Sequence, residues 1–283
     1  MDTVIDFERV IPTAWGVAFR RTFTDIPLSV EIFKELDRLL CGPSDRVKLE
    51  KIKRPQLTPF FEARYLLTDK LCHENQTSQY LELAAGFSQR GILFTKDPSV
   101  TYIEIDLPTV MADKVQIIHR LINCFKMASG QNLHLLGSDL LRPVAYIAAR
   151  QHFVAKSVTV LNEGLLRYMS FDNKAIIAEQ VHQLLSRFGG VWITPDITLP
   201  KELEGREEQA KASTEMTGID TSLNAFHDVD HAVWFFKKMG FEVEVRSFRE
   251  VFGQLVSPGR LGISQEEVEK TVGWRVAFVM RPR

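Results

Sequence analysis

The chain has 283 residues, 45% of them hydrophobic and 25% charged, a composition that can bury a sizeable globular core. Its 35 lysines and arginines against 36 acids leave no net field that would favour nucleic acid or an anionic membrane. Three scattered cysteines, Cys41, Cys72 and Cys124, offer neither a disulfide framework nor zinc-ligand spacing and read as small buried residues.

Residues 1–6 lack a basic region followed by an apolar core, so they do not read as a signal peptide. No stretch approaches the roughly 18 apolar residues of a membrane span, and a cytoplasmic location is the expectation. Residues 8–72 read as helical. The run 29–40 is amphipathic and stops at Cys41-Gly42-Pro43, and residues 60–71 repeat the pattern. This helical preface, residues 1–75, predicts a layer laid as a lid over the domain that follows, residues 76–283.

From residue 80 strands and helices alternate. Strands are expected at 80–84, 100–106, 133–138, 158–163 and 190–194, with helices at 109–128, 143–153 and 173–188. That order predicts a parallel sheet covered on both faces. Glu82, Asp106, Asp139 and Glu163 fall at or near the carboxyl ends of its first four strands, where such sheets bind ligands. The first strand runs into the small-residue turn Ala84-Ala85-Gly86, and Asp106 lies twenty residues beyond Gly86. Small residues let a cofactor approach the backbone, and an acid after the next strand can hold both hydroxyls of a ribose. The pair predicts an adenosine-containing cofactor without saying which.

After Pro195 the alternation breaks. A charged, cap-like insert is expected around 198–230, then a helix at 231–239 stopped by Gly240. Two last strands, 241–248 and 274–281, show no full crossover helix between them, which predicts a closing antiparallel pair. Dehydrogenase-type sheets continue in parallel. This ending favours a doubly wound, Rossmann-like methyltransferase sheet, mostly parallel with an antiparallel C-terminal strand.

Several segments, in order, resemble the leucine carboxyl methyltransferase family, whose members include polyketide O-methyltransferase relatives. Ala84-Ala85-Gly86-Phe87-Ser88-Gln89-Arg90 is similar to its Gly-Ala-Gly-Leu-Asp-Thr-Arg turn, with Ala84 for the first glycine and Ser88 for the Asp. Tyr102-Ile103-Glu104-Ile105-Asp106-Leu107-Pro108 resembles its Tyr-Glu-Val-Asp-x-Pro strand end. Asn162-Glu163-Gly164-Leu165-Leu166-Arg167-Tyr168-Met169 resembles its Glu-Gly-Leu-x-x-Tyr-Leu segment. Asp139-Leu140 matches its Asp-Leu pair, and Arg64 in Phe61-Glu62-Ala63-Arg64 its upstream arginine.

The resemblance implies S-adenosylmethionine as cofactor and methyl transfer to an oxygen, carboxylate or hydroxyl, of a small molecule. Asp106 then holds the ribose diol, Asp139 and Leu140 the adenine edge, and Glu163 the amino and sulfonium end. Arg64 grips the methionine carboxylate. Glu82, costly if unpaired in an apolar strand, is expected to accept bonds from the turn backbone or from cofactor groups. Ala84 at the turn is tolerable if its φ is negative. Arg20 and Arg21 read as a solvated helix face. His152 and Tyr168 are candidate substrate-side groups. His227 and His231, four apart, fit a helix capped by Asp228 or Asp230 better than a metal site. No metal, nucleic acid or membrane partner is expected. Three other readings stay open here: a nicotinamide oxidoreductase, a non-catalytic binding protein on the same sheet, and a methyltransferase acting on protein C-termini.

Overall fold

A computed structural model of the chain describes residues 6–40, 42–125, 132–154, 156–202, 204 and 207–283, without the side chains of Ile52, Cys124, Phe125, Glu207 and Gln209. Its N-terminal helices are α1 (Ile11–Arg21), α2 (Ser29–Leu39), α3 (Pro43–Ile52) and α4 (Thr58–Glu74). The helical expectation for 8–72 thus holds with breaks, and the last break, 53–57, presents Arg54. Cys72 is buried as expected, whereas Cys41 and the Cys124 side chain lie outside the described residues.

The alternating part follows as β1 (Gln79–Leu83), α5 (Arg90–Phe94), β2 (Thr101–Asp106), α6 (Pro108–Phe125), β3 (Leu133–Gly137), α7 (Pro143–Arg150), β4 (Val158–Asn162), α8 (Phe171–Phe188) and β5 (Gly190–Thr194). After it come α9 (Glu207–Thr217), α10 (Val229–Lys238), β6 (Phe241–Ser247), α11 (Ser257–Leu261), α12 (Gln265–Val272) and β7 (Val276–Pro282). The strands form one sheet in the order β3-β2-β1-β4-β5-β7-β6. The β1, β2, β3, β4 and β5 pairings are parallel, and β7 runs antiparallel to both β5 and β6. The expected closing pair is therefore present. Three short helical pieces, not recognised in the sequence, join its strands.

Helices cover both faces, which is why β1 and β4 are buried along their whole length instead of alternating. One core packs α7, α8 and α10 on the sheet, and a second packs α4 and α12 on its other face. A third joins Trp15, Ile32, Leu36 and Leu49 of the N-terminal helices to Val110, Ile117 and Leu121 of α6. That third core holds the N-terminal layer beside the carboxyl ends of β1 and β2. Among the described residues no helix is long and apolar enough to cross a membrane.

Within the sheet Glu104 is fully buried and paired with Lys114 of α6. Burial pushes the Glu104 carboxyl up to about 7 while Lys114 pulls against it. Removing one partner strands a charge away from water. Lys114→Met is expected to cost about 3–5 kcal/mol in urea denaturation, and adding Glu104→Gln should return most of that. A single-variant loss below about 1 kcal/mol would show that the pair contributes little.

Candidate functional site

A cavity of about 1390 Å³ opens at the carboxyl ends of β1, β2 and β4. The turn 84–88, Asp106, Glu82, Glu163 and Arg64 line it from the sheet side. The N-terminal helices α1 and α3 and the insert helix α9 close it from above, through residues such as Trp15, Lys51 and Met216. The insert is thus part of the cavity wall.

The turn departs from expectation at its first residue. Ala84 has φ +53°, in the left-handed region, so the family's glycine position keeps a glycine conformation with a methyl group on it. Such a backbone costs an alanine roughly 1–2 kcal/mol. Gly86 also has a positive φ, +49°, and a Cβ there would sit 3.6 Å from Ala14 Cβ of α1. Ser88 is buried, and its hydroxyl accepts the Arg90 N–H at 3.3 Å.

Asp106 is held by backbone. Its Oδ2 accepts the Gly86 N–H at 2.6 Å and its Oδ1 the Leu107 N–H at 2.7 Å. Burial raises its carboxyl, while these two bonds pull it back. Among the described residues each oxygen keeps one acceptor position open.

Beneath the turn lies a cluster of charges. Arg90, fully buried, donates to Glu82 Oε1 at 2.8 Å and Glu163 Oε1 at 2.6 Å, and its Nε pairs with Asp69 at 2.5 Å. Arg64 Nε and Arg21 Nη2 each donate to Glu163 Oε2 at 3.2 Å. The Tyr65 ring lies 4.2 Å from the Arg90 guanidinium and 4.8 Å from that of Arg21. Burial alone would raise the Glu163 carboxyl, but Arg90, then Arg64 and Arg21, pull it down to about 2.

Two expectations are corrected by this cluster. Glu82 accepts from Arg90 and from the Tyr102 hydroxyl at 2.8 Å and not from the turn's amides, because a buried carboxylate needs a counter-charge. It still lines the cavity, as its cofactor alternative requires. Arg20 and Arg21 are buried, at 6% and 5% exposure, and line the cavity instead of facing solvent. Arg20 donates to the Arg54 carbonyl at 3.0 Å and lies 4.8 Å from the Phe61 ring.

Asp139 and Leu140 sit past the end of β3, next to Asp106, but do not line the cavity. The Asp139 Oδ1 accepts the Leu141 N–H at 2.9 Å, and Leu140 points into the core under the sheet. His152 packs tilted against His134, ring centroids 3.9 Å apart, away from the cavity, whereas Tyr168 lines it. Asp228 caps α10 by accepting the His231 N–H at 2.7 Å, as its capping reading expects.

The sequence reading assigns nothing to Arg90, Asp69 or Asp196. Arg90 closes the turn motif, and the acids converging on β1 and β4 already require a cation. Asp196, just after β5, accepts from the Gly164 and Leu165 amides at 2.7 Å, the Leu166 amide at 3.3 Å and Asn162 Nδ2 at 2.8 Å. It fastens the loop that carries Glu163. A lone acid after a strand gives no sequence signal for that.

Residues 29–182, more than half of the chain, match the family model for leucine carboxyl methyltransferase. The chain belongs to the leucine carboxyl methyltransferase family. It is accordingly a member of an S-adenosylmethionine-dependent methyltransferase family with the sheet expected of one. Among curated proteins no sequence match is found. Solved structures share the fold at low identity. A DUF574 family protein from Streptomyces avermitilis MA-4680 is 13% identical with a TM-score of 0.57, covering 88% of this chain and 95% of that one. A structure described as PigF with SAH is 12% identical with a TM-score of 0.50, covering 95% of this chain and 70% of that one. The S-adenosylmethionine-dependent methyltransferase SibL, in its apo form, is 13% identical with a TM-score of 0.50, covering 96% and 69%.

In this leucine carboxyl methyltransferase family member, relieving the strained turn should help stability. Ala84→Gly is expected to raise it by about 1 kcal/mol in chemical denaturation. An unchanged or lower midpoint would mean that the methyl group's packing offsets the strain. Glu163 is a stronger acid folded than unfolded, so its stabilisation is complete above pH 4.5 and lost as pH falls towards 2. At pH 7, Glu163→Gln should lose on the order of 3 kcal/mol. Its gap from the wild type should close between pH 4.5 and 2. A gap independent of pH would sink that account.

Proposed function

We propose that the chain transfers a methyl group from S-adenosylmethionine to an oxygen of a small-molecule acceptor, and that the oxygen is a carboxylate's. One observation carries the cofactor's placement. Asp106 is pinned by two amides at the rim of a cavity large enough for the nucleoside and an acceptor, with one acceptor position left on each oxygen. Two open positions on a fixed carboxylate suit the two hydroxyls of a ribose.

The remaining groups fit the same pose. Among the described residues the Nη atoms of Arg64 make no hydrogen bond, so they are available to the methionine carboxylate, while Nε stays on Glu163. Three of the four acceptor positions of Glu163 are taken by arginines, and the fourth suits the amino group. The adenine contact expected of Asp139 and Leu140 rests on the family resemblance alone.

When bound, the cofactor supplies a methyl group already activated by the sulfonium. The chain's own residues then bind, orient and exclude water, and such positioning can contribute about 7–11 kcal/mol. Among the described residues no histidine lines the cavity. The family's carboxyl methyltransferase description supports an oxygen ionised at pH 7, which needs no general base. The N-terminal helices and the insert act in this reading as a lid that keeps water from the reacting atoms.

Asp106→Ala should weaken binding of S-adenosylhomocysteine about a hundredfold by calorimetry, the loss of two charge-assisted hydrogen bonds. Circular dichroism on the same sample establishes that the variant is folded. An affinity within threefold of the wild type would reject the ribose contact.

A further inference from the structure

The charges beneath the turn balance. Three guanidinium groups, Arg21, Arg64 and Arg90, meet three carboxylates, Asp69, Glu82 and Glu163. The wall beside them does not balance. Lys48 and Lys51 of α3 and Arg54 after it line the same cavity against one acid of that helix, Asp45. Among the described residues none of the three cations makes an ion pair, although Lys53 beside them pairs with Glu50 and Arg46 with Asp37. Arg54 is half-buried, and its carbonyl takes the Arg20 Nε, which ties the wall to α1.

S-adenosylmethionine does not neutralise this wall. It carries an ammonium, a sulfonium and one carboxylate, a net positive charge, and the pose above places that carboxylate on Arg64. Arg54 is half-buried and Lys48 and Lys51 are exposed, so the three present like charge along one side of the cavity mouth. Arg54 also acts on its neighbour Arg20, whose guanidinium burial, then Arg54 and Arg64, lower to about 10. Elsewhere in the lining Glu202 is engaged by Arg275 at 2.9 Å, and Glu8, Asp113 and Glu215 lie on elements other than α3.

We infer that the methyl acceptor is a small polyanionic acid, which rests an ionised group on Arg54, Lys48 and Lys51 while a second oxygen receives the methyl group. This rests on the cofactor reading above and deepens it by naming the acceptor's chemistry. The recognised group is a carboxylate or a phosphate, either of which a guanidinium binds through two parallel hydrogen bonds.

The test uses the full chain saturated with S-adenosylhomocysteine and titrated calorimetrically, at constant ionic strength, with citrate and separately with pyrophosphate. Saturable binding of either anion is expected, weakened at least tenfold by Arg54→Gln and by the double variant Lys48→Gln/Lys51→Gln. Two variants guard against one that fails to fold. Both should bind S-adenosylhomocysteine within twofold of the wild type. The stronger of the two anions tells a carboxylate site from a phosphate site. No saturable heat with either anion, or equal binding by wild type and variants, would overturn the inference. So would competition between the anion and S-adenosylhomocysteine, which would assign the wall to the cofactor's own carboxylate. If S-adenosylhomocysteine itself does not bind, the cofactor reading fails, and anion titration of the unliganded chain still decides the Arg54 site.

Discussion

Glu163 is one carboxylate reached by three guanidinium groups, and each comes from a different part of the chain. Arg21 ends α1, Arg64 lies in α4 and Arg90 begins α5, while Glu163 itself follows β4. Four elements far apart in sequence are therefore tied at one buried point. A buried carboxylate without those partners would protonate or drag in water, and a buried arginine without the carboxylate would be worse. The strongest acid of the site is thus a structural joint first. Three of its four acceptor positions are filled by arginines.

This joint also explains how the N-terminal helices are held over the sheet. Apolar packing supplies the contact between α1, α2 and α6, through Trp15, Ile32 and Ile117 among others. Such packing is not directional. Arg21 adds direction, since it reaches Glu163 and Gln89 only from one placement of α1. Gln89 in turn accepts from Arg21 and donates to Ser29 Oγ at 2.9 Å, so the turn after β1 is read by both α1 and α2.

The sheet and its order were largely legible from residue types. Buried β-rich runs such as Val158-Thr159-Val160-Leu161 alternate with helical periods, and the handedness of crossovers leaves few arrangements. The place of Asp106 followed from its spacing to Gly86. The helical joins between β6 and β7 were not legible, because short helices carry too few turns to show a period. The site's electrostatics were legible only in part. Acids near strand ends are visible in one dimension, but their partners Arg21, Arg64 and Arg90 reach them only through tertiary packing. Arg20 and Arg21 sit on a helix whose polar residues look solvated until α3 and α4 enclose them. The positive φ of Ala84 is likewise invisible, since alanine in that region contradicts its own preference.

Asp196 has one more consequence. By collecting three consecutive amides and the Asn162 side chain, it fixes the stretch from 162 to 166 from within the fold. The conformational entropy of that stretch is therefore spent at folding, when the rest of the domain condenses around it, and not at each encounter with a ligand. That segment then contributes no ordering cost of its own to any later binding step at the neighbouring cavity.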